Sequence, residues 1–228
     1  MNVYLDNAAT TPMLPEVVEA MLPYMRDHFG NPSSTHQFGR RTKTAIEQSR
    51  RQIAGQLGVE PRTVCFTSGG TESDNMALHA SVDQVGCKRI LTCATEHSAV
   101  LKTAEHLGKR DDVTCGLLQL DAAGKVDLHH LAITLSDGIP TVVSVMHGNN
   151  EVGILQDIEA IGQCCWDHNA LFHSDTVQTM GHYPMDLGNM PIDFAACSAH
   201  KLHGPKGAGF LYVKDGHRIG AQIMGGSQ

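Results

Sequence analysis

The chain has 228 residues, 41% of them hydrophobic and 18% charged, with a formal net charge of −7 at pH 7. An apolar share near the globular average, with 23 Gly and 9 Pro dispersed along the chain, excludes a disordered, collagen-like or low-complexity polymer. With 24 acidic against 17 basic residues there is no electrostatic footprint for phosphate backbones or anionic lipid, so neither nucleic acid nor membrane is expected as a partner.

The start, Met1-Asn2-Val3-Tyr4-Leu5-Asp6, lacks the basic stretch and apolar core of a signal peptide, and no run of about 18 apolar residues occurs; a cytoplasmic location is expected. An extended N-terminal arm over 1–15 leads into a helix opening near Pro15, a turn over 30–34 and a longer helix from about 40 to 57. Beyond it, short β-branched or apolar runs predict strands at 63–66, 89–92, 113–118, 141–145, 170–173, 193–197 and 209–213. Between them, helical periodicity appears at 73–85, 98–108, 128–135 and 157–169. Strands apolar on both faces and alternating with helices indicate an α/β fold, with a mainly parallel sheet covered on both sides. No linker interrupts residues 16–228, which read as one large domain. The seven cysteines are odd in number, contain no C-x-x-C pair and read as free thiols.

In open α/β sheets ligands bind beyond the carboxyl ends of the strands. The Thr67-Ser68-Gly69-Gly70-Thr71-Glu72 segment follows a strand and opens a helix, so Gly70 and Thr71 suit a phosphate, although an ordinary helix start has the same form. It matches neither a dinucleotide-binding nor a P-loop pattern. His97, after the next strand, is a base, a ligand or a polar loop residue; Asn149 and Asn150 make turns or present amides to a ligand. Asp175 and Gln178 lie three apart after another strand, where Asp175 either caps a helix or needs a cationic partner. In Ser198-Ala199-His200-Lys201-Leu202-His203-Gly204-Pro205-Lys206-Gly207, a desolvated Lys201 amine would be a nucleophile towards an aldehyde. Cys197, His200 and His203 have ligand-like spacing but no convincing fourth ligand, and no metal is expected. A phosphate cradle, a histidine, an acid after a strand and a loop lysine are together the parts that bind pyridoxal phosphate.

With Tyr4-Leu5-Asp6-Asn7-Ala8-Ala9-Thr10-Thr11, Phe29-Gly30-Asn31-Pro32-Ser33-Ser34, Glu96-His97 and Asn149-Asn150-Glu151-Val152-Gly153, these motifs in this order resemble the cysteine desulfurases of the NifS/IscS type. These are class V, fold-type I enzymes dependent on pyridoxal phosphate. The resemblance implies a three-layer sandwich and a homodimer. It implies that Lys201 holds the cofactor covalently and moves protons, that His97 stacks on its ring and assists proton transfer, and that Asp175 partners the ring nitrogen. Gln178 would donate to the phenolic oxygen, and Gly70, Thr71, Ser198 and His200 would bind the phosphate. Asn149 would lie near the phenolic oxygen and the substrate carboxylate, and Asn7, Ala8 and Thr10 would line the substrate pocket. The implied reaction takes sulfur from L-cysteine, giving L-alanine and an enzyme persulfide for an iron–sulfur scaffold or another acceptor protein. The neighbouring possibilities are selenocysteine lyase, another class V enzyme, or a silent cofactor-binding fragment. Members of the family are longer: the small C-terminal domain, the carboxylate-binding arginine and the persulfide cysteine are expected beyond Gln228, and none of the seven cysteines matches that cysteine's position.

Overall fold

Nine strands alternate with six helices in the computed structural model, which describes residues 1–217 and 219–225. The helices are α1 (Pro15–Arg26), α2 (Gln37–Gln56), α3 (Gly70–Ala80), α4 (Ser98–Leu107), α5 (Leu128–Leu135) and α6 (Ile158–Asp167). The strands are β1 (Val64–Thr67), β2 (Arg89–Thr92), β3 (Thr114–Leu117), β4 (Thr141–Ser144), β5 (Gly148–Asn149), β6 (Ile154–Leu155), β7 (Leu171–Asp175), β8 (Phe194–Ser198) and β9 (Gly209–Val213). Arg218 and residues 226–228, the last of the expected large domain, lie outside the described residues.

Adjacent side chains along a strand point to opposite faces, and both faces here are apolar. Ile90 and Val142 pack with Leu78 of α3 and Val100 and Ala104 of α4. Their neighbours Leu91 and Val143 pack with Leu131 of α5 and Ile158 and Ile161 of α6, in a cluster that also holds Ala54 of α2. The chain is therefore the expected three-layer α/β sandwich. The seven-stranded sheet runs β1-β9-β8-β7-β4-β2-β3, parallel from β8 to β3. Only β9 opposes its neighbours β8 and β1. The segment 199–208 between β8 and β9 is too short for the crossover a parallel strand needs, so the chain turns back.

Local departures from the expected elements have local causes. The helix expected over 73–85 starts at Gly70 and ends in a π-helical turn over Ser81–Val85, closed by Gly86 at φ 88°. The loop after β4 contains the small β5–β6 hairpin, too short to show a period of two. Helix α1 contributes no residue to the core.

One close approach ties the sheet to the loop after β1. A Cβ at Gly209 would lie 2.4 Å from the Cys197 carbonyl oxygen and 2.7 Å from Cα of Gly69. Both obstacles are backbone, so neither can swing aside. Gly209→Ala is expected to destabilise the fold by about 2–3 kcal/mol, the upper part of the range for overpacking, as measured by denaturant unfolding.

Candidate active site

The parallel strands deliver their carboxyl ends to one edge. There β7 ends at Asp175 and β8 at Ser198, while the loop after β1 opens α3 at Gly70 and the loop after β2 leads to His97 at the start of α4. These residues surround a cavity of about 240 Å³, whose wall also includes Thr71, Gln178, His200 and Lys201. An adjoining cavity of about 510 Å³ shares His97, Gln178 and Lys201 and adds Asp6, Ala8 and Asn149. A third, at the N-terminus of α3, joins Gly70 and Thr71 to Thr10, Ser198 and His200. A larger cavity of about 560 Å³ beside α2 has neither an acid nor a lysine in its wall.

The N-terminal arm is sewn to the lysine loop. Thr11 donates from N and from Oγ1 to the His200 carbonyl, at 2.9 and 2.8 Å, and its Oγ1 accepts from His203 N at 2.8 Å. Leu14 N donates to the His203 carbonyl, and His203 holds a left-handed φ of 57°. His200 Nδ1 lies 3.1 Å from Thr10 Oγ1, and His203 Nδ1 lies 3.0 Å from the Pro12 carbonyl. Docked this way, the arm presents the Ala8 carbonyl to the site. Gln178 Nε2 donates to it at 3.1 Å, and Lys201 Nζ donates to it as well.

Electrostatically the site is unusual. Burial holds the Lys201 amine below the usual lysine range, with Asp175 and Asp6 acting against it. Asp175 is 4% exposed, and its Oδ1 accepts only the Val177 N–H, at 2.9 Å. Burial, reinforced by the nearby Asp74, raises its carboxyl to about 7. Asp74 is itself buried and raised to about 8 by desolvation, and Glu96 is held well above its usual range, again mainly by burial. Ligating atoms of Asp74, His97 and Asp175 all lie within 4.8 Å of one another. His97 is oriented as the N-cap of α4, its Nδ1 accepting from Ala99 N at 3.1 Å.

Most of the residues expected at the site come together. Gly70, Thr71, His97, Asp175, Gln178, Ser198, His200 and Lys201 share the first cavity. Ala8 lines the second and Thr10 the third, while Asn7 is exposed and lines none of the three. Asn149 reaches only the second cavity, and its side chain is committed to structure. Its Nδ2 donates to the Thr95 carbonyl at 2.6 Å, and its Oδ1 accepts from Glu151 N and Val152 N. The neighbouring Asn150 lines both of the first two cavities. Sequence reasoning gave no role to Asp74, Glu96 or His173; for Asp74 the signal was its position one turn after Gly70, on the helix face that meets the sheet.

The class-V aminotransferase family model matches residues 3–227. The chain belongs to the class-V aminotransferase family. Similar members include the cysteine desulfurase IscS of Dictyoglomus turgidum, 44% identical over 99% of this chain and 57% of that protein. The putative cysteine desulfurase IscS 1 of Bacillus subtilis is 43% identical over 99% of this chain and 60% of its own length. Among solved structures, a NifS-like protein superposes with a TM-score of 0.94 at 38% identity, covering all of this chain and 63% of that one. SspA in complex with cysteine gives 0.92 at 34% identity, covering all of this chain and 66% of that one. The class-V chain thus spans about three-fifths of the length of these relatives. Among the described residues no helix is long and apolar enough to cross a membrane.

The buried acids predict a pH signature for the protein purified without added ligand. Folded, Asp74 and Asp175 keep their protons up to about 8 and about 7, whereas the unfolded carboxyls release theirs near 3.8. The folded chain then binds more protons than the unfolded chain, and stability falls as pH rises through this window. His173, lowered from 6.5 to about 4 by burial, opposes the trend only below 6.5. The melting temperature is expected to fall between pH 6.5 and 8, as followed by circular dichroism, and the fall should shrink in Asp175→Asn.

Proposed function

We propose that this chain is the cofactor-binding part of a cysteine desulfurase that uses pyridoxal phosphate, with an arm at 1–15 and a large domain over 16–228. The observation that carries the reading is the convergence of a half-buried Lys201 amine and a buried, cation-seeking Asp175 on one cavity beside a glycine-opened helix. The residues fit the group. Asp175 lacks a cationic hydrogen-bond partner, Asp74 and Glu96 each keep a buried oxygen without one, and a Cβ at Gly70 would lie 2.6 Å from Val177 Cγ2 in the cavity wall. When bound, pyridoxal phosphate supplies an aldehyde for an amine and a ring that stores the electron pair left at the substrate Cα.

Each residue then has a task. Lys201 would hold the aldehyde carbon of the group, and its amine would take the proton from the substrate Cα. Asp175, ionised, holds the proton on the ring nitrogen. Gly70, Thr71, Ser198 and His200 receive the phosphate, with the N-terminus of α3 adding its dipole. Gln178 would donate to the phenolic oxygen, and His97 would stack on the ring and assist proton transfer. Ala8, Thr10 and Asn149 border the space for L-cysteine, with Asn7 beside them on the arm; of these, Asn149 serves by holding the 95–97 loop rather than by a free amide.

Burial raises all seven thiols, and none lines the cavity walls that hold Lys201. The thiol that takes the substrate sulfur is therefore not among them, which keeps a cofactor-binding but sulfur-silent chain as the second reading. Homodimer formation, supported by the exposed Leu14, Val18, Tyr24, Met25, Phe29 and Phe38, belongs to the same proposal. So do a cytoplasmic location and transfer of sulfur to an iron–sulfur scaffold or other acceptor.

Two measurements test it. Lys201→Ala is expected to abolish the visible absorbance of the bound cofactor and lower turnover about 10²–10⁴-fold, and an unchanged spectrum would overturn the assignment. Product analysis with L-cysteine and an added dithiol, which stands in for the sulfur-accepting thiol and is oxidised to its disulfide, should yield alanine and sulfide in equal amounts. A clear preference for L-selenocysteine would move the reading to a selenocysteine lyase, and cofactor binding without either product to the silent chain.

A further inference from the structure

The cofactor reading assigns no role to two groups buried behind Asp175. Asp74 sits on α3 one turn after Gly70 and is 1% exposed; His173 sits on β7 two residues before Asp175, on the same face of the strand, and is fully buried. His173 Nδ1 lies 2.8 Å from Ser144 Oγ. Its Nε2 lies 3.4 Å from Asp74 Oδ1, and both atoms lack a hydrogen-bond partner. Asp74 also stands within 4.8 Å of Asp175.

Two carboxyls this close in a dry site do not both ionise, because the second charge would face the first with little solvent to screen it. The surroundings decide which one yields. Asp175 accepts the Val177 N–H, His173 and His97 favour its ionised form, and it faces the Lys201 amine across the cavity. Among the described residues no lysine or arginine acts on Asp74: the titratable groups around it are His173, Asp175, His97 and Glu96, and burial also holds Glu96 well above its usual range. Neutral His173 with its Nδ1–H donating to Ser144 leaves a lone pair on Nε2, aimed at Asp74 Oδ1. One proton between Oδ1 and Nε2 satisfies both orphaned atoms.

We propose that Asp74 is a positioning residue for Asp175: it stays protonated, donates its proton to His173 Nε2, and leaves Asp175 as the single ionised carboxylate facing the cofactor's ring nitrogen. The inference rests on the cofactor reading and deepens it. Helix α3 then serves both ends of the ligand, Gly70 at the phosphate and Asp74, one turn on, behind the acid that holds the ring.

The test uses the full chain and two readouts that do not require turnover, the pyridoxal phosphate dissociation constant from pH 6 to 10 and the melting temperature without added cofactor. Wild type is expected to lose affinity about tenfold on the alkaline side, as Asp74 gives up its proton and a second buried charge appears. Asp74→Asn keeps a neutral donor to Nε2, so it should hold affinity within about threefold at pH 7 and lose the alkaline fall. Its cofactor-free melting temperature should also fall less between pH 6.5 and 8. Asp74→Ala should bind about tenfold more weakly at every pH. An alkaline limb in Asp74→Asn identical to wild type, with an unchanged melting profile, would overturn the proposal. No cofactor binding by wild type would overturn the cofactor reading instead, and the melting profiles would still decide where the proton sits.

Discussion

Asp175 ends β7 inside the protein with one backbone N–H to receive it, and much of the site follows from that shortage. A buried carboxylate needs a cation or a proton, and Lys201, which shares the cavity with it, already donates to the Ala8 carbonyl. Around Asp175 the fold sets two more buried acids, Asp74 on α3 and Glu96 before α4, both pushed towards their neutral forms by burial. An acid held in this way is stabilised by a partner that brings a positive charge to it. The sheet supports this arrangement through its parallel strands. Parallel connections carry α3 and α4 back over one face, so that the starts of both helices and the ends of β7 and β8 meet at one edge.

The second support is the arm. Thr11 is buried, and its backbone and hydroxyl make three bonds to His200 and His203, so the segment from Asp6 to Thr10 is held over the lysine loop and not left to fray. This gives Lys201 and Gln178 a common acceptor in Ala8 and fixes the lysine's reach. It also explains a left-handed His203: the reversal there turns the loop so that its N–H and carbonyl both face the arm.

The fold and the site differ in how far they could be read from residues alone. Runs such as Thr141-Val142-Val143-Ser144 announce a strand buried on both faces, while the more exposed edge strands β1 and β3 were legible as short β-branched or apolar runs. The β5–β6 hairpin was not, because two-residue strands carry no period. Residues that end a strand or open a helix were legible as site candidates, since position after a strand is itself a signal. Asp74 and His173 were not: one reads as an ordinary polar residue inside a helix, the other as a histidine within an apolar run, and only their 3.4 Å approach makes them a pair. Asn149 was legible as a site residue but not in its role, since its neighbour's wider reach into the cavities depends on how the hairpin turns.

The thiols sharpen the division of labour. Taking sulfur from a substrate requires a thiolate that can approach it, and desolvation acts the other way on each cysteine here, raising Cys87, Cys93 and Cys197 to about 12. Cys93 and Cys197 lie within a few residues of His97 and Lys201, yet both side chains are buried in the apolar core beneath the site. Proximity in sequence thus does not translate into access. The same close packing that lets β8 and the loop after β2 present their polar ends rigidly to the cavity removes their sulfurs from it. The sulfur chemistry of the proposed reaction therefore needs a thiol delivered to the cavity from its open side.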